Sequence, residues 1–142
     1  MKYHFSIHRE KSGYWANCIE LKGCVTQAND LKQLKKNMEE ALNLFLAEPP
    51  DSKLLFPLPK KRVKGNRAEV RVAPNVALAL MLRHIRLERK LTQSEAAKLI
   101  GCKGLYSYQR LESGKTANPE FKTLTKIKEA FPELSIDELI AA

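Results

Sequence analysis

The sequence predicts an α+β protein, in which a β-β-β-α-β unit is followed by an all-α unit. Two patterns and one boundary predict this class. Segments that alternate with period two fill much of the first half, and a helical period of 3.6 residues dominates the second half. Pro74 stands where one pattern gives way to the other. We therefore expect two domains, residues 1–74 and residues 75–142.

The first three strands are predicted from alternation and from their aromatic and β-branched residues. "KYHFSIH" and "YWANCIE" both show this pattern, and Lys11-Ser12-Gly13 between them is typical of a hairpin turn. After Gly23, the segment "CVTQA" is a third strand candidate. These segments predict an antiparallel hairpin with one further strand.

A helix and a fourth strand complete the first unit. Asn29 or Asp30 can cap the helix, and Pro49-Pro50 ends it. The segment "PLPKKRVKGNR" then predicts a basic, linker-like loop over residues 59–67, before "AEVRVAP" supplies the fourth strand. The apolar face of the helix comprises Leu34, Met38, Ala41, Leu42 and Phe45.

The second unit is predicted to begin with a helix that Asn75 can cap. Thr92 caps the next helix, and Glu95, three residues later, completes a capping box. Gly101 stands where a left-handed C-terminal cap is needed, so this second helix is short.

A third helix of this unit is predicted within "GCKGLYSYQRLESGK". At 100° per residue, Leu105, Tyr108 and Leu111 share a side that is expected to pack. Periodicity alone leaves two functions open, because a helix that reads DNA and an ordinary surface helix both have a polar side. The polar side comprises Tyr106, Gln109 and Arg110, with Ser107 flanking it.

The composition excludes several classes of protein. A chain of 142 residues that is 44% apolar can bury a core, and its net charge of +9 favours polyanions as partners. Both parts are basic, with 14 Lys and Arg against 8 Asp and Glu in residues 1–73 and 11 against 8 in the rest. No apolar run reaches the length of a membrane span and no signal-peptide block opens the sequence, so we expect a cytoplasmic protein with no membrane association.

No catalytic residue, metal site or cofactor is expected. Cys18, Cys24 and Cys102 have neither an even count nor a C-x-x-C spacing, which favours reduced thiols. His4 and His8 share a strand face without a partner marked for nucleophilic chemistry. Metal-dependent nuclease activity needs carboxylates that converge on two cations, and convergence is not expected here, so we predict a protein that is not an enzyme. The carboxylates of the first unit considered for that role are Glu10, Glu20, Asp30, Glu39, Glu40 and Glu48.

The segment from Ile85 to about Phe131 resembles the Cro/repressor-like helix-turn-helix family. "LTQSEAAKLIG" looks like the second helix of that family, and "RLESGKTANPEF" looks like the end of its recognition helix and the following loop. The resemblance implies a structural ion pair between Arg86 and Glu112. Other residues at family positions are Gly114, Lys115 and Pro119.

The same resemblance implies a set of DNA contacts. Arg110 is the expected reader of guanine, because a guanidinium can donate two hydrogen bonds to O6 and N7. The stretch from Gly101 to Glu112 is one residue longer than the commonest family pattern, which affects the assignment of Tyr106 most. The expected base contacts are Tyr106, Ser107 and Arg110, and the expected backbone contacts are Gln93, Lys115 and Thr116.

The first unit resembles the HicB antitoxin domain, which has a partial ribonuclease-H-like fold. The resemblance is carried by Gly13-Tyr14, by Gly23 to Gln27 and by Glu40 to Leu42. Where the family often has Asp-Leu-Pro, this chain has Glu20-Leu21-Lys22.

Together the two resemblances imply an antitoxin of a type II toxin-antitoxin system. Its first domain would bind and neutralise a HicA-type, mRNA-cleaving toxin, and its second domain would repress its own operon. A homodimer or homotetramer bound to an inverted repeat is expected for such a repressor. Tyr14 and Trp15 are the candidate toxin contacts, and strand alternation turns one of the two inward. The alternative is a stand-alone transcriptional repressor whose N-terminal domain oligomerises or senses a ligand.

The basic run within residues 60–67 admits three interpretations. It is a solvated linker, an arm that tracks phosphates, or part of a contact with a toxin or RNA. The residues concerned are Lys60, Lys61, Arg62, Lys64 and Arg67.

Overall fold

The structure, a computed structural model, describes residues 1–141, and residue 142 of the predicted second domain lies outside the described residues. The described chain forms two units, one built around a sheet and one built from helices. The first unit contains residues 1–46 and 56–72, and the second contains residues 47–55 and 73–141.

The first unit is a four-stranded antiparallel sheet with one helix. Its elements are β1 (Lys2–Glu10), β2 (Gly13–Cys18), β3 (Val25–Ala28), α1 (Leu31–Leu46) and β4 (Ala68–Arg71). The strand order is β3-β2-β1-β4, and every neighbouring pair is antiparallel. The predicted α+β class is therefore confirmed, and the elements of this unit follow the predicted order.

One face of the sheet packs against α1. Tyr3 and Phe5 of β1 and Ala16 of β2 are fully buried, and they point to the same side because successive strand residues alternate. Leu34 and Leu42 of α1 are also fully buried and complete this core.

Two short-range signals position α1 and the hairpin. The Asp30 carboxylate accepts a hydrogen bond from the Gln33 backbone N–H at 2.8 Å, so Asp30 rather than Asn29 caps α1. Gly13 has φ of +151°, and a Cβ placed there would lie 2.5 Å from the Ala28 carbonyl oxygen. Only glycine fits this turn between β1 and β2.

Among residues 1–46 and 56–72, no helix lies on the opposite face of the sheet. His8 and Trp15 are register partners there, and their rings stack with centroids 4.0 Å apart and planes 19° apart. His8 Nε2 also lies 2.8 Å from Asn17 Oδ1. We call this surface the open sheet face; at its β3 side Val25 is 53% exposed.

The second unit consists of five helices. They are α2 (Pro74–Glu88), α3 (Gln93–Ile100), α4 (Leu105–Leu111), α5 (Phe121–Ala130) and α6 (Ile136–Ile140). Their core contains fully buried side chains from the helices and from the turn before α6, among them Leu82, Tyr108, Ile127, Phe131 and Leu134. No helix among residues 1–141 is long and apolar enough to cross a membrane.

The start of α2 corrects one expectation. Asn75 was expected to cap this helix, but Ala73 is the cap residue and Pro74 occupies the first turn. Proline suits the first helical position because its missing N–H has no intrahelical partner there. The Asn75 side chain instead donates a hydrogen bond to the Gly114 carbonyl at 2.6 Å.

Residues 47–55 follow α1 in sequence but lie in the helical unit. The Pro49 carbonyl accepts a hydrogen bond from Arg83 Nη2 at 2.8 Å, and the Pro50 carbonyl accepts one from Gln93 Nε2 at 2.5 Å. These bonds hold the segment against α2 and α3. The observed units therefore differ from the expected division at residue 74 in this segment and in residues 73–74, which also belong to the helical unit.

Candidate nucleic-acid interface

Helix α3 begins and ends with local signals that the sequence contains. The Thr92 hydroxyl accepts a hydrogen bond from the Glu95 N–H at 3.1 Å, and the Glu95 carboxylate accepts one from the Thr92 N–H at 3.0 Å. The hydrogen bond from the Thr92 backbone N–H lowers the pKa of the Glu95 carboxyl. A hydrogen bond with the Thr92 side chain and the positive charge of Lys98 lower it further. Gly101 ends the helix with φ of +80°. A short helix of eight residues results.

Helix α4 presents a polar side to solvent. Tyr106 is 70% exposed, and Ser107 and Arg110 are also exposed. Tyr108 and Leu111 are buried on the other side, as their spacing predicts. Leu105 was expected to pack as well, but it is 43% exposed because it is the first residue of the helix, next to Gly104, and lies beyond the core.

Arg110 and Tyr106 lie together on this exposed side. Arg110 Nη1 lies 3.5 Å from the Tyr106 hydroxyl, and the guanidinium carbon lies 5.9 Å from the centre of the Tyr106 ring. These contacts are loose, so the guanidinium can exchange them for bonds to a base edge. Ser107, the third predicted base contact, is also exposed, beside these two residues on the helix.

A buried ionic cluster fixes α4 against α2. Arg86 Nε donates to Glu112 Oε1 at 2.5 Å and Arg86 Nη2 donates to Glu112 Oε2 at 3.1 Å. The Tyr108 hydroxyl donates to Glu112 Oε1 at 2.5 Å. The structure thus places the two residues of the expected ion pair in direct contact, with Tyr108 as a third member.

The cluster perturbs the titration of its members. Burial raises the pKa of the Tyr108 hydroxyl, and the negative charge of Glu112 raises it further. Burial by itself lowers the pKa of Arg86, but its hydrogen bonds to Glu112 and the charge of Glu112 outweigh burial and raise it. Both shifts keep Tyr108 neutral and Arg86 charged, which is the state that the hydrogen bonds require.

Arg83 is a buried cation that sequence reasoning missed. Its Nη2 donates to the Pro49 carbonyl at 2.8 Å and to the Glu112 carbonyl at 3.0 Å, and Arg83 is only 1% exposed. Within residues 1–141 its Nε has no hydrogen-bond partner. Burial lowers the pKa of this guanidinium, although Glu112 and Glu48 act in the opposite direction. No local pattern marks this residue, because its partners are 34 and 29 positions away.

Gln93 is the first residue of α3, and its side chain is fully engaged. Its Nε2 donates to the Pro50 carbonyl at 2.5 Å and to Glu112 Oε2 at 3.1 Å, while its Oε1 accepts from Gln109 Nε2 at 3.2 Å. Since both donor positions are occupied, the carboxamide must release one of them before it can bind a phosphate. Gln109, which was expected only on the polar side of α4, thus links α4 to the start of α3.

The loop after α4 contains the two other predicted backbone contacts. Lys115 is exposed, whereas the Thr116 hydroxyl donates to the Arg110 carbonyl at 2.8 Å and so helps to end α4. Gly114 is buried, and a Cβ placed there would lie 3.3 Å from Val76 Cγ2. The close packing at Gly114 holds the loop in place, so that Lys115 projects from an ordered backbone.

The two candidate toxin contacts lie on different faces of the sheet. Trp15 lies on the open sheet face, stacked on His8, whereas Tyr14 shares the α1 side with Ala16. The structure therefore does not bring Tyr14 and Trp15 together on one surface.

The sequence misses a buried pair between β1, an inner strand of the sheet, and the turn after β2. His4 Nδ1 lies 2.8 Å from Glu20 Oε2, and Glu20 Oε1 accepts from the His4 N–H at 3.0 Å. Burial by itself raises the pKa of Glu20, but its hydrogen bonds from His4 and from the Lys60 N–H lower it more. Glu39 and Glu40, two of the other carboxylates considered for catalysis, are exposed on α1.

Two comparisons with known proteins find similarities for this chain. Residues 82–139 match the helix-turn-helix domain family, which supports a role in DNA-binding transcription regulation. The chain is also similar to a UPF0150 protein from Helicobacter pylori strain J99, with 34% identity over 50 residues. The aligned region is 35% of this chain and 69% of that relative. The helix-turn-helix prediction is therefore confirmed.

Proposed function

The chain belongs to the UPF0150 family, and on that premise we propose that it is the antitoxin and autorepressor of a type II toxin-antitoxin system. The proposal is supported by the presence on one chain of a helix-turn-helix domain and of a small sheet unit whose sequence resembles the HicB antitoxin domain. The protein would act in the cytoplasm as a binding protein and not as an enzyme.

The DNA-binding part of the proposal assigns specificity to α4. Arg110 would read guanine, with Tyr106 and Ser107 beside it, because all three are exposed on one side of the helix. Lys115, Thr116 and Gln93 would bind the phosphate backbone. The residues proposed to contact DNA are therefore those that the family resemblance implies, and Gln109 supports Gln93 through the hydrogen bond between them.

Repression of an operon calls for two copies of this domain on one operator. Helix-turn-helix dimers bind half-sites about 34 Å apart along the duplex, one helical turn, so we propose a homodimer or homotetramer on an inverted repeat. Analytical ultracentrifugation of the chain with a duplex selected from a random library tests this part. A single chain bound per duplex would contradict it.

The toxin-binding part of the proposal uses the open sheet face. Trp15 is a half-buried aromatic residue on a sheet surface that its own unit leaves without a helix, and aromatic residues often supply the anchors of protein interfaces. The proposed partner is a HicA-type, RNA-cleaving toxin encoded beside this gene. Tyr14 is the weaker of the two candidates, since it lies on the α1 side.

Co-expression with the protein encoded by the neighbouring reading frame tests the toxin-binding part. We expect the neighbour to arrest growth when expressed alone, and the full chain to relieve the arrest and to co-purify with it. Trp15→Ala should weaken both effects, whereas the control Tyr14→Phe, which removes only a hydroxyl on the other face, should not. Absence of relief and of co-purification with the wild-type chain would refute the antitoxin.

The runner-up proposal is a stand-alone repressor whose first unit oligomerises or senses a ligand. The open sheet face also favours this reading, because a second copy of the chain could cover it. In that case Trp15→Ala would change the oligomeric state in the absence of any partner, and the neighbouring gene product would neither bind nor be neutralised.

A further inference from the structure

The basic loop, residues 59–67, is held in place at both ends. Just before it, the Tyr3 hydroxyl donates to the Pro57 carbonyl at 2.9 Å. At its end, Arg67 Nη1 donates to the Ser6 hydroxyl at 3.3 Å. Between these anchors the chain turns at Gly65, which has φ of +86°. It connects elements within the first unit and is not a linker between the two units.

A buried carboxylate provides a third anchor inside the loop. The Lys60 N–H donates to Glu20 Oε2 at 3.1 Å, and the Glu20 side chain is only 1% exposed. His4 binds the same carboxylate through its ring and its backbone N–H, so Glu20 is itself fixed. The anchor uses the backbone of Lys60 and leaves its side chain exposed.

This anchored loop carries five positive charges within residues 60–67. All five of its cations are exposed, and within residues 1–141 none lies within 4 Å of a carboxylate. Holding like charges close together in an ordered loop disfavours the compact state, and a bound polyanion relieves that repulsion. The cations are Lys60, Lys61, Arg62, Lys64 and Arg67.

The chemistry of the loop specifies which part of a polyanion it can bind. Residues 57–67 contain no aromatic side chain, so they offer no platform on which a base could stack. Lysine and arginine without such a platform bind phosphates and position a nucleic acid without reading it. The loop therefore suits a nucleic-acid backbone.

We propose that the basic loop binds the phosphate backbone of duplex DNA outside the bases that α4 reads. The proposal rests on the operator-binding part of the proposed function. A duplex that the helix-turn-helix domain holds and that is long enough to reach the loop is present there at high local concentration, so weak phosphate contacts add to affinity. The loop thereby raises affinity for the operator and for unrelated duplexes alike, without changing sequence preference.

The test is the salt dependence of DNA binding by the full chain. The probes are a long duplex selected from a random library by the wild-type chain and a scrambled duplex of equal length. The loop variant is K60Q/K61Q/R62Q/K64Q, which keeps every backbone anchor and also Arg67. The matched control is K22Q/K32Q/K35Q/K36Q, which removes four exposed cations from the same unit.

We expect the slope of log affinity against log salt concentration to be less steep for the loop variant than for the wild type, by about 2 to 4. Each lost phosphate contact should account for about 0.9 of this difference. Both duplexes should show the same change, so that their affinity ratio stays constant. The control should keep the wild-type slope. Equal slopes for the loop variant and the control would overturn the proposal, because the effect would then come from net charge alone.

Two further arms separate this proposal from its alternatives. Shortening the selected duplex to the bases that α4 reads should abolish the difference between wild type and loop variant. A single-stranded RNA of the same length is the third probe, and a loop effect confined to RNA would overturn the proposal. Failure of the wild-type chain to select any duplex would refute operator binding itself, whereas normal selection with unchanged slopes would refute only the loop.

Discussion

Arg86 and Glu112 form a two-pronged ion pair in which the side chains are only 7% and 0% exposed. The pair joins α2 to the end of α4, and Tyr108 and Gln93 donate to the same carboxylate. Four donor groups, from α2, α3 and α4, thus bind the one Glu112 carboxylate. Together they fix the orientation of α4 and so the position of its exposed side. The exposed side of α4, which is the candidate DNA-binding surface, is therefore positioned by buried residues on its opposite side.

Removing the charge of Glu112 should destabilise the second unit strongly. Glu112→Gln leaves Arg86 buried without its counter-charge, and breaking such a pair costs about 3–5 kcal/mol. Urea unfolding followed by circular dichroism measures the loss. The double variant Arg86→Met/Glu112→Leu is the control, because it removes both charges, and it should be more stable than Glu112→Gln. A Glu112→Gln variant as stable as the wild type would contradict the role of the cluster.

The Glu20 carboxylate should make the first unit sensitive to acid. Its pKa is lowered from the ordinary value of 4.5 because the hydrogen bonds that it accepts outweigh its burial. The folded pKa is thus below the unfolded one, so the contribution of Glu20 is complete above about pH 4.5 and is lost as pH falls through the folded pKa.

Glu20→Gln measures this contribution. At neutral pH the free energy of unfolding of the variant should be about 1–3 kcal/mol lower than that of the wild type, because buried hydrogen-bonding groups lose their partner. The difference should narrow as pH falls below about 4.5, in urea titrations at a series of pH values. Glu40→Gln, at an exposed position on α1, should show no such narrowing. A difference between wild type and Glu20→Gln that is constant with pH would contradict the assignment.

Arg110→Ala should relax sequence preference more than it weakens binding. Loss of a two-bond contact to guanine removes about 1–3 kcal/mol of discrimination at one base position. Competition between the selected duplex and duplexes with single base changes measures the effect position by position. Arg110→Lys should restore little of it, since an ammonium cannot reproduce the planar fork. Unchanged preference at every position would show that α4 packs but does not read.

Lys115→Ala should weaken binding evenly across sequences. As a phosphate contact, Lys115 contributes to affinity but not to preference, so the salt slope should fall by about 1 for every duplex tested. Lys128 offers a control at a distance, because its ammonium is held by the Pro132 and Leu134 carbonyls. A change in preference at one base in Lys115→Ala would contradict the backbone assignment.

The thiols should be slow to react. Burial raises the pKa of Cys18 and of Cys24 to about 11, so that only a small fraction is thiolate at pH 8. Cys102 is half-buried and should be alkylated first, in a time course followed by mass spectrometry. Faster alkylation of Cys18 than of Cys102 in the folded protein would contradict the burial seen here.

Much of the helix-turn-helix could be predicted because its signals are local. Thr92 and Glu95 lie within one turn, and Gly101 ends α3 through its own backbone angle, so neighbouring residues suffice to define these ends. The helical face of Tyr108 and Leu111 follows from spacing in the same way. Leu105 shows the limit of prediction from spacing. Spacing places it on the same side of α4 as Tyr108 and Leu111, but it does not show that the core ends before Leu105, which is 43% exposed.

Long-range contacts could not be predicted. The bond between Gln93 and Pro50 joins residues 43 positions apart, and the one between His4 and Glu20 joins residues 16 apart. No pattern in the chain shows that a segment after α1 would lie against α3, or that a buried glutamate would anchor a basic loop. Such pairs depend on the path of the whole chain.

The sequence by itself determined the class of the protein, the ends of α3, the polar side of α4 and the positions of the charges. The tertiary structure alone decided which of these charges are buried in pairs and which are exposed. The physical reason is that secondary structure follows from interactions within a few residues, whereas burial depends on every element that packs nearby. Arg83 and Arg110 are both helical arginines, and only the packing around them makes one a buried support and the other an exposed candidate reader of DNA.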